Sequence, residues 1–241
     1  MRQHEVLQEE QRIMDQVVIL AGGHGSRMKA AIPKPMLEVL GVPMLGWVVQ
    51  ACEAADLRNI CVLTGYKSQF IEHYLNNKYK TVLQAERLGT GHAVMQAVPV
   101  LEENPDGNTL VLCGDAPFMD SETIQQAYQL HTAQGNAVTV ITAKLDNPFG
   151  YGRILRSETG IAAIVEEKDA TDAQRQIQEV NSGAYWFRTA DLLTLLKGLS
   201  QSNVQGEYYL TDTIGLALEQ GKKAGAYLTE NTDVVLGANT R

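Results

Sequence analysis

Short apolar runs alternate with segments of helical pattern along the first half of the chain. The runs that predict strands are 17–20, 59–63, 81–84 and 109–113. The segments that predict helices are 44–55, 69–76, 92–98 and 121–131. Most of the strand segments are continuous apolar runs without polar alternation, which is typical of a parallel sheet that is covered on both faces. The order of the segments predicts βαβ units and an α/β fold.

The second half has a different pattern, in which strands outnumber helices. Its predicted strands are 136–143, 149–154, 161–165, 184–187 and 224–228, and its predicted helices are 190–199 and 211–219. The turn Glu158-Thr159-Gly160 separates two of these strands and predicts an antiparallel hairpin. We therefore expect one globular unit with a mostly parallel mixed sheet flanked by helices, and a smaller β-rich part in its second half.

The composition is that of an ordinary globular protein, since 44% of the 241 residues are hydrophobic and 20% are charged. The formal net charge is −8 and the isoelectric point is about 5.2. This acidic balance argues against a nucleic acid as the partner. A protein of this charge that binds phosphates must concentrate its cations locally or recruit a metal ion.

The three cysteines and the N-terminal residues indicate the compartment. Cys52, Cys61 and Cys113 show no metal-binding spacing, and we expect buried thiols in a reduced environment. Residues 1–14 form a polar N-terminal extension that lacks the apolar stretch of a secretory signal, and no segment has the length of a membrane span. These features predict a cytoplasmic protein that does not bind a membrane.

The first predicted strand runs into a glycine-rich loop with cations. The loop and its continuation contain Gly22, Gly23, Gly25, Arg27 and Lys34. Glycine backbone can approach a ligand closely and direct consecutive N–H groups at a phosphate, and arginine offers a planar fork to phosphate oxygens. A dinucleotide fingerprint is excluded because Met28 occupies the place of its last glycine, and a P-loop is excluded because no Gly-Lys-Ser/Thr follows. The loop predicts a nucleotide site of another kind; the alternative is a glycine-rich turn with incidental surface charge.

Two further loops follow predicted strands, at the edge where ligands bind in open parallel sheets. Asp115 comes just after the strand 109–113 and is the best single candidate for a metal ligand. An aspartate in this position is also typical of a helix N-cap, but Ser121-Glu122-Thr123 offers a better cap for the next helix. Gly89-Thr90-Gly91 precedes the helix 92–98, whose free N–H groups suit a base or a phosphate.

The strand followed by LAGGHGSRM and PKP resembles the signature of the nucleoside-triphosphate sugar-1-phosphate transferases, in which Lys34 is the motif lysine. Further motifs recur in the order found in the uridyltransferase half of the bacterial bifunctional N-acetylglucosamine-1-phosphate uridyltransferase/glucosamine-1-phosphate acetyltransferases. They are QAERLGTGHA, GDAP, GYGRI, VEEKDAT, EVNSG, QGEYYLTD and GANTR. The resemblance covers about residues 16–241. It does not extend to the acetyltransferase half, whose hexapeptide repeats would be visible by their periodicity.

This resemblance implies a Rossmann-like nucleotide-diphospho-sugar transferase fold in a single domain at 15–241. Its nucleotide-binding half would span about 15–135 and its sugar-phosphate-binding half about 136–241. The residues implied on the nucleotide side are Leu20, Ala21, Gly22, Gly23, Gln84, Gly89, Thr90, Cys113 and Gly114. The residues implied to contact the sugar are Gly152, Glu166 and Asn181. The implied catalytic cations are Arg27 and Lys34, and the implied ligands of Mg2+ are Asp115 and Asn239.

The implied reaction joins UTP and N-acetylglucosamine-1-phosphate to give UDP-N-acetylglucosamine and pyrophosphate. No protein nucleophile is needed, because the sugar phosphate is itself an anion that attacks the α-phosphorus in line. Two alternatives stay open, namely a related transferase that uses another sugar phosphate or dTTP, and a non-catalytic module that binds a nucleotide sugar. Since the family trimer is implied to assemble largely through the other half, we expect a monomer or a weak homo-oligomer.

Overall fold

The computed structural model describes residues 15–23, 32–158 and 160–237. Within these ranges the chain builds one large sheet and one short ribbon. The strands of the sheet are β1 (Gln16–Leu20), β4 (Ile60–Thr64), β5 (Lys80–Leu83), β6 (Asn108–Cys113), β7 (Val138–Lys144), β8 (Arg153–Ser157), β9 (Gly160–Val165), β10 (Glu179–Arg188) and β11 (Ala224–Leu228). The ribbon consists of β2 (Glu38–Val39) and β3 (Val42–Pro43).

The main path of the sheet has the strand order β11-β7-β10-β6-β1-β4-β5. Neighbours on this path are parallel except at β10, which is antiparallel to both β6 and β7. The hairpin of β8 and β9 branches off where Arg153 pairs with Val180 of β10. The predicted α/β fold, with a mostly parallel mixed sheet and a smaller β-rich part, is confirmed. The reversed direction of β10 brings its first residues to the sheet edge where β1 and β6 end.

Helices cover both faces of this sheet. They are α1 (Met44–Ala54), α2 (Ser68–Leu75), α3 (Thr90–Gln96), α4 (Val98–Leu101), α5 (Ser121–Gln134), α6 (Asp172–Arg175), α7 (Thr189–Leu196) and α8 (Thr213–Glu219). Single 3-10 turns lie at Lys34–Met36, Leu210–Asp212 and Thr232–Val235. No helix of the described residues combines the length and the apolar character that crossing a bilayer requires.

The core has two layers, one on each face of the sheet, and successive side chains of β1 belong to different layers. Val17 and Ile19 pack with buried residues of α1, α2 and α5, whereas Val18 packs with those of α3, α4, α7 and α8. All three side chains are fully buried. Because both faces of β1 are buried, every position needs an apolar residue, and the strand is therefore a continuous apolar run in the sequence.

Several local predictions differ from the structure. Asp120, and not Ser121-Glu122-Thr123, caps α5 by accepting a hydrogen bond from the Thr123 N–H at 2.7 Å. The hairpin begins at Arg153, since the glycine-containing segment before it is loop. β10 starts five residues before the predicted strand because its first part is polar and irregular. The short helix α6 and the ribbon were not predicted, since each is too short to show a periodic pattern.

His131 gives the fold a predictable response to acid. It lies in the last turn of α5, is buried, and its Nδ1 is 3.0 Å from the Thr139 hydroxyl of β7. Burial, together with a smaller contribution from the charge of Arg188, lowers the pKa of His131 from 6.5 to about 4. The unfolded chain therefore binds more protons than the folded chain between these two values. We expect the free energy of unfolding to fall by on the order of 3 kcal/mol as the pH drops through this window.

Urea unfolding at pH 7, 5.5 and 4.5 measures this effect. In His131→Gln the contribution of this histidine to the pH dependence should disappear. The exposed residue His73 provides the matched control, since His73→Gln should leave the pH profile as it is in the parent. Equal pH profiles for the parent and His131→Gln would contradict the assignment.

Candidate functional site

A cleft opens at the sheet edge where β1, β5 and β6 end, and its volume is about 290 Å³. Its lining residues come from the end of β1 and the glycine loop, the segment after β5 and the start of α3, the end of β6 and the residues after it, the 3-10 turn at Lys34–Met36, and the segment before the 3-10 turn at Leu210–Asp212. They are Leu20, Gly22, Gly23, Lys34, Pro35, Gln84, Arg87, Gly89, Thr90, Ala93, Cys113, Asp115 and Glu207. Ligands bind at this edge in open α/β sheets. The cleft therefore brings together nine of the residues that the sequence singled out.

The glycine loop lies close to neighbouring segments at Gly22. A Cβ atom added at Gly22 would lie 3.2 Å from Oε1 of Gln84 and 3.3 Å from the carbonyl oxygen of Thr64. A Cβ at Gly65 would lie 2.6 Å from the carbonyl oxygen of Gly22. The loop after β1 is thus pressed against the ends of β4 and β5, and its backbone forms one wall of the cleft.

Hydrogen bonds fix the side-chain amide of Gln84. Its Nε2 donates to the carbonyl oxygen of Gly89 at 3.1 Å and lies 3.2 Å from Nδ1 of His92. A carbonyl oxygen only accepts, so the nitrogen must be the atom on that side. Oε1 is consequently the atom that faces Gly22. Oε1 of Gln84 is therefore a hydrogen-bond acceptor in the wall of the cleft.

The start of α3 is held by the segment 207–210 from the second half of the chain. The N–H of Gly91 donates to the carbonyl oxygen of Tyr208 at 2.8 Å, and the N–H of Tyr208 donates to the carbonyl oxygen of Leu88 at 2.7 Å. The Thr90 hydroxyl accepts from the Leu210 N–H at 3.1 Å. The cleft is therefore built from both halves of the chain.

The cation Lys34 and the carboxylate Asp115 meet in the cleft. Nζ of Lys34 lies 2.6 Å from Oδ2 of Asp115, and their side chains are 15% and 32% exposed. Lys34 occupies the 3-10 turn and Asp115 follows β6, so two distant segments deliver opposite charges to one point. Among the described residues, no three His, Cys, Asp or Glu side chains assemble as a metal site. Asp115 thus offers a hard carboxylate donor without two further residues of these types grouped around it in the described ranges.

A second group of predicted residues lies together at the beginning of β10. A Cβ added at Gly152 would be 3.5 Å from Cβ of Asn181 and 3.6 Å from Oε2 of Glu166. The N–H of Asn181 donates to the carbonyl oxygen of Gly152 at 2.9 Å. We call Gly152, Glu166 and Asn181 the acceptor cluster. All three of the residues predicted on the sugar side are in it.

The carboxyl group of Glu166 is held in an unusual environment. Burial raises its pKa, the hydroxyl of Thr211 opposes this with a hydrogen bond at 3.3 Å, and the charges of Asp169 and Asp212 raise it again. A hydroxyl group of a ligand that donated to Glu166 would compensate for this desolvation.

Cys113 lies between the cleft and the acceptor cluster. Its Sγ is 3.6 Å from the carbonyl oxygen of Gly183, whose N–H donates to Oδ1 of Asn181 at 2.8 Å. Burial, followed by the charge of Asp115, raises the pKa of the Cys113 thiol to about 12. The thiol is therefore protonated at neutral pH and is no nucleophile. The cleft and the acceptor cluster therefore adjoin each other, with the side chain of Cys113 between them.

Some predicted site residues are placed elsewhere. Ala21 is buried in the core behind the glycine loop, and Gly114 donates its N–H to the carbonyl oxygen of Leu20 at 2.9 Å. Neither lines the cleft. Arg27 and Asn239 lie outside the described residues.

Two charged residues of the cleft were not singled out by the sequence. Arg87 and Glu207 both line the cleft. They belong to the motifs QAERLGTGHA and QGEYYLTD, so the signal was present, although no position in those motifs pointed to these side chains.

Comparison with known proteins finds a matching family model and similar sequences. A family model described as nucleotidyl transferase matches residues 16–234. The chain is 44% identical over 225 residues to the bifunctional protein GlmU of Streptococcus gordonii and to that of Streptococcus sanguinis, and 42% identical to that of Streptococcus suis. These matches cover 93% of this chain and 49% of each relative, so the chain spans about half the length of the curated relatives it matches.

A solved structure from Bacillus anthracis is similar in fold. It is described as a glucose-1-phosphate thymidylyltransferase in complex with a sucrose. The TM-score is 0.78 at 21% sequence identity, over 94% of this chain and 91% of that chain. At this level of identity the likeness concerns the fold alone.

Proposed function

This chain belongs to the nucleotidyl transferase family, and from that membership we propose that it transfers the uridylyl group of UTP to N-acetylglucosamine-1-phosphate. The products are UDP-N-acetylglucosamine and pyrophosphate. The observation that carries the proposal is the meeting of Lys34 and Asp115 in a cleft that adjoins the acceptor cluster. The similarity to GlmU proteins over nearly the whole chain supports the choice of substrates.

The base of the nucleotide is proposed to bind beside Gln84. Oε1 of Gln84 is an acceptor in the cleft, and it suits the N3–H group of uracil or thymine. Cytosine has no hydrogen at N3 and would leave this buried acceptor without a partner, which is costly. The backbone of Gly22 and Gly23 and the start of α3 would bind the rest of the nucleotide.

The sugar phosphate is proposed to bind at the acceptor cluster, with Glu166 accepting from sugar hydroxyls. One of its phosphate oxygens attacks the α-phosphorus of UTP and forms the new P–O bond. The bond from the α-phosphorus to the bridging oxygen breaks, and its electron pair leaves with pyrophosphate. The main difficulty is bringing two anions together, so the work of the protein is positioning and charge stabilisation. Lys34, and Arg27 outside the described residues, are proposed as the cations that do this.

The donor set of the cleft fits Mg2+ that enters with the nucleotide. Mg2+ is usually held by one or two carboxylates together with substrate phosphates and water. Asp115 offers such a carboxylate, and Asn239 is proposed as a second ligand. When bound, the ion would neutralise charge on the nucleotide phosphates. The buried thiols of Cys52 and Cys61 support a reduced, cytoplasmic setting.

Pyrophosphate release by the purified chain tests the proposal. UTP, dTTP and CTP are each paired with N-acetylglucosamine-1-phosphate and glucose-1-phosphate, with Mg2+ and with a chelator. We expect chelator-sensitive release that is greatest for UTP with N-acetylglucosamine-1-phosphate and least for CTP. Preference for another pair would change the substrates while keeping the reaction. Silence with every pair would favour the non-catalytic binding module.

The glycine before α3 provides a separate prediction. Gly89 has a φ of +108°, and a Cβ there would lie 2.5 Å from the carbonyl oxygen and 2.9 Å from the nitrogen of Tyr208. Gly89→Ala must therefore displace the segment 207–210 from α3. We expect a loss of about 1–3 kcal/mol in the free energy of unfolding and a severalfold weaker Kd for UTP.

Thermal unfolding and calorimetric titration with UTP measure the two effects of Gly89→Ala. Gly135→Ala is the matched control, because Gly135 also has a positive φ, +62°, but a Cβ there would meet no atom within 4 Å. The control should lose stability without a change in the Kd for UTP. An unchanged Kd in Gly89→Ala would remove the proposed link between this contact and the nucleotide.

A further inference from the structure

An ion pair between a buried arginine and a partly exposed glutamate lies next to the acceptor cluster. The side chain of Arg153 is only 1% exposed, and its Nη2 lies 2.7 Å from Oε2 of Glu167. The same carboxylate oxygen accepts from the N–H of Gly150 at 3.0 Å. That backbone hydrogen bond, and then Arg153, lower the pKa of Glu167, so its carboxylate is charged at neutral pH. The pair thus joins the loop before β8 to the turn after β9.

The two partners are next in sequence to cluster residues. Arg153 follows Gly152, and Glu167 follows Glu166. Arg153 also donates to the carbonyl oxygen of Tyr151 and, at 3.4 Å, to that of Arg175. The guanidinium of Arg153 therefore fixes the backbone next to Gly152 by binding the Tyr151 carbonyl. It also holds Glu167, the neighbour of Glu166.

A second arginine holds Glu167 from the other side. Nε of Arg175 lies 3.5 Å from Oε1 of Glu167, and its Nη2 donates to the Glu167 carbonyl oxygen at 3.4 Å. Arg175 belongs to α6, which begins with a capping box between Thr171 and Gln174. Glu167 is thus bound by cations from two elements, a stronger constraint than an isolated surface pair provides.

The hairpin does not depend on this pair for its packing. Ile154, Ile161 and Ile164 anchor β8 and β9 in the core, away from the loop that precedes β8. Loss of the ion pair should therefore loosen the loop and the turn more than it disturbs the sheet.

We propose that Arg153, acting through Glu167, is a positioning residue that sets the geometry of the acceptor cluster for the sugar phosphate. The inference rests on the proposed function, because it names the sugar phosphate as the ligand of that cluster. A displacement of about 1 Å at a binding group can lower the rate up to about a hundredfold. The effect should appear for the sugar phosphate and not for the nucleotide, whose cleft residues lie on other elements.

The test compares Arg153→Met and Glu167→Gln with a control on the same strand. Arg156 also belongs to β8 and makes a two-bond ion pair with Glu179, at 3.0 and 2.6 Å, but it does not contact the turn after β9. In Arg153→Met and Glu167→Gln we expect the KM for N-acetylglucosamine-1-phosphate to rise on the order of tenfold, with the KM for UTP within about twofold of the parent. Arg153→Lys should recover part of the loss, and Arg156→Met should leave both KM values as they are.

Hydrogen exchange adds a measurement that does not depend on turnover. Amides at 150–152 and 166–171 should exchange faster in Arg153→Met and Glu167→Gln, with no change at 20–23 or 84–90. Equal rises of both KM values, or unchanged exchange in the loop and the turn, would overturn the proposal. If Arg153→Met fails to fold, Glu167→Gln decides, since it keeps the shape of the side chain. If the parent has no transferase activity, the proposed function fails, and faster exchange would still identify the ion pair as the support of the cluster.

Discussion

Asp115→Asn is expected to lower kcat by on the order of a hundredfold or more, with Tm within about 3 °C of the parent. The carboxylate stands in the cleft in contact with Lys34, and an amide of the same shape has no net charge to offer a cation. The ion pair is partly exposed, so its loss should remove less than about 1 kcal/mol of stability. The chemistry should therefore fail while the fold persists.

A titration with Mg2+ at saturating substrates measures this outcome, and the affinity for Mn2+ without turnover provides a second reading. Asp106→Asn is the matched control, because Asp106 is exposed and precedes the same strand, β6, at the opposite edge of the sheet. Full turnover by Asp115→Asn at the parent's Mg2+ concentration would exclude Asp115 as the principal ligand.

Lys34→Met is expected to lower kcat on the order of a hundredfold and to leave the KM for the sugar phosphate nearly unchanged. The positive charge of Lys34 should matter most when negative charge builds on the transferred group and on pyrophosphate, and less when the substrates first bind. Lys80→Met controls for the loss of a lysine, since Lys80 pairs with Glu103 on the surface beside β5.

Steady-state kinetics separate the two possible effects of Lys34→Met. A higher KM with an unchanged kcat would assign Lys34 to ground-state binding instead. The double variant with Asp115→Asn should lose less than the product of the two single losses, because the side chains are in contact. A fully multiplicative loss would show that the two groups act independently.

The parallel core of this fold was accessible from sequence because its signal is local. The apolar runs of β1, β4 and β6 lie within one residue of their predicted bounds. Only the second part of β10 was predicted from the sequence. Its first part contains a bulge, where the side chains of Asn181 and Ser182 make hydrogen bonds in place of the regular ladder bonds. Such a segment has no regular hydrophobic period from which to predict it.

Most of the residues that line the cleft were named from the sequence, but their arrangement was not. The family resemblance, which the nucleotidyl transferase model confirms, named Lys34 and Asp115 separately, and no pattern in the sequence reports that they touch. The hydrogen bonds of Tyr208 with Leu88 and Gly91 join residues more than a hundred positions apart. Only the folded chain shows such pairs, because spacing along the chain carries information about neighbours within one element.

The reversed strand β10 has a consequence for how this enzyme class diversifies. The hairpin of β8 and β9 begins directly after Gly152 and pairs with β10 at Arg153 and Val180, outside the main path of strands. Insertions or replacements there leave the ladder between β1, β4 and β6 intact. Under the proposed function, substitutions in the hairpin would change which sugar phosphate is bound and leave the strands beside the nucleotide as they are.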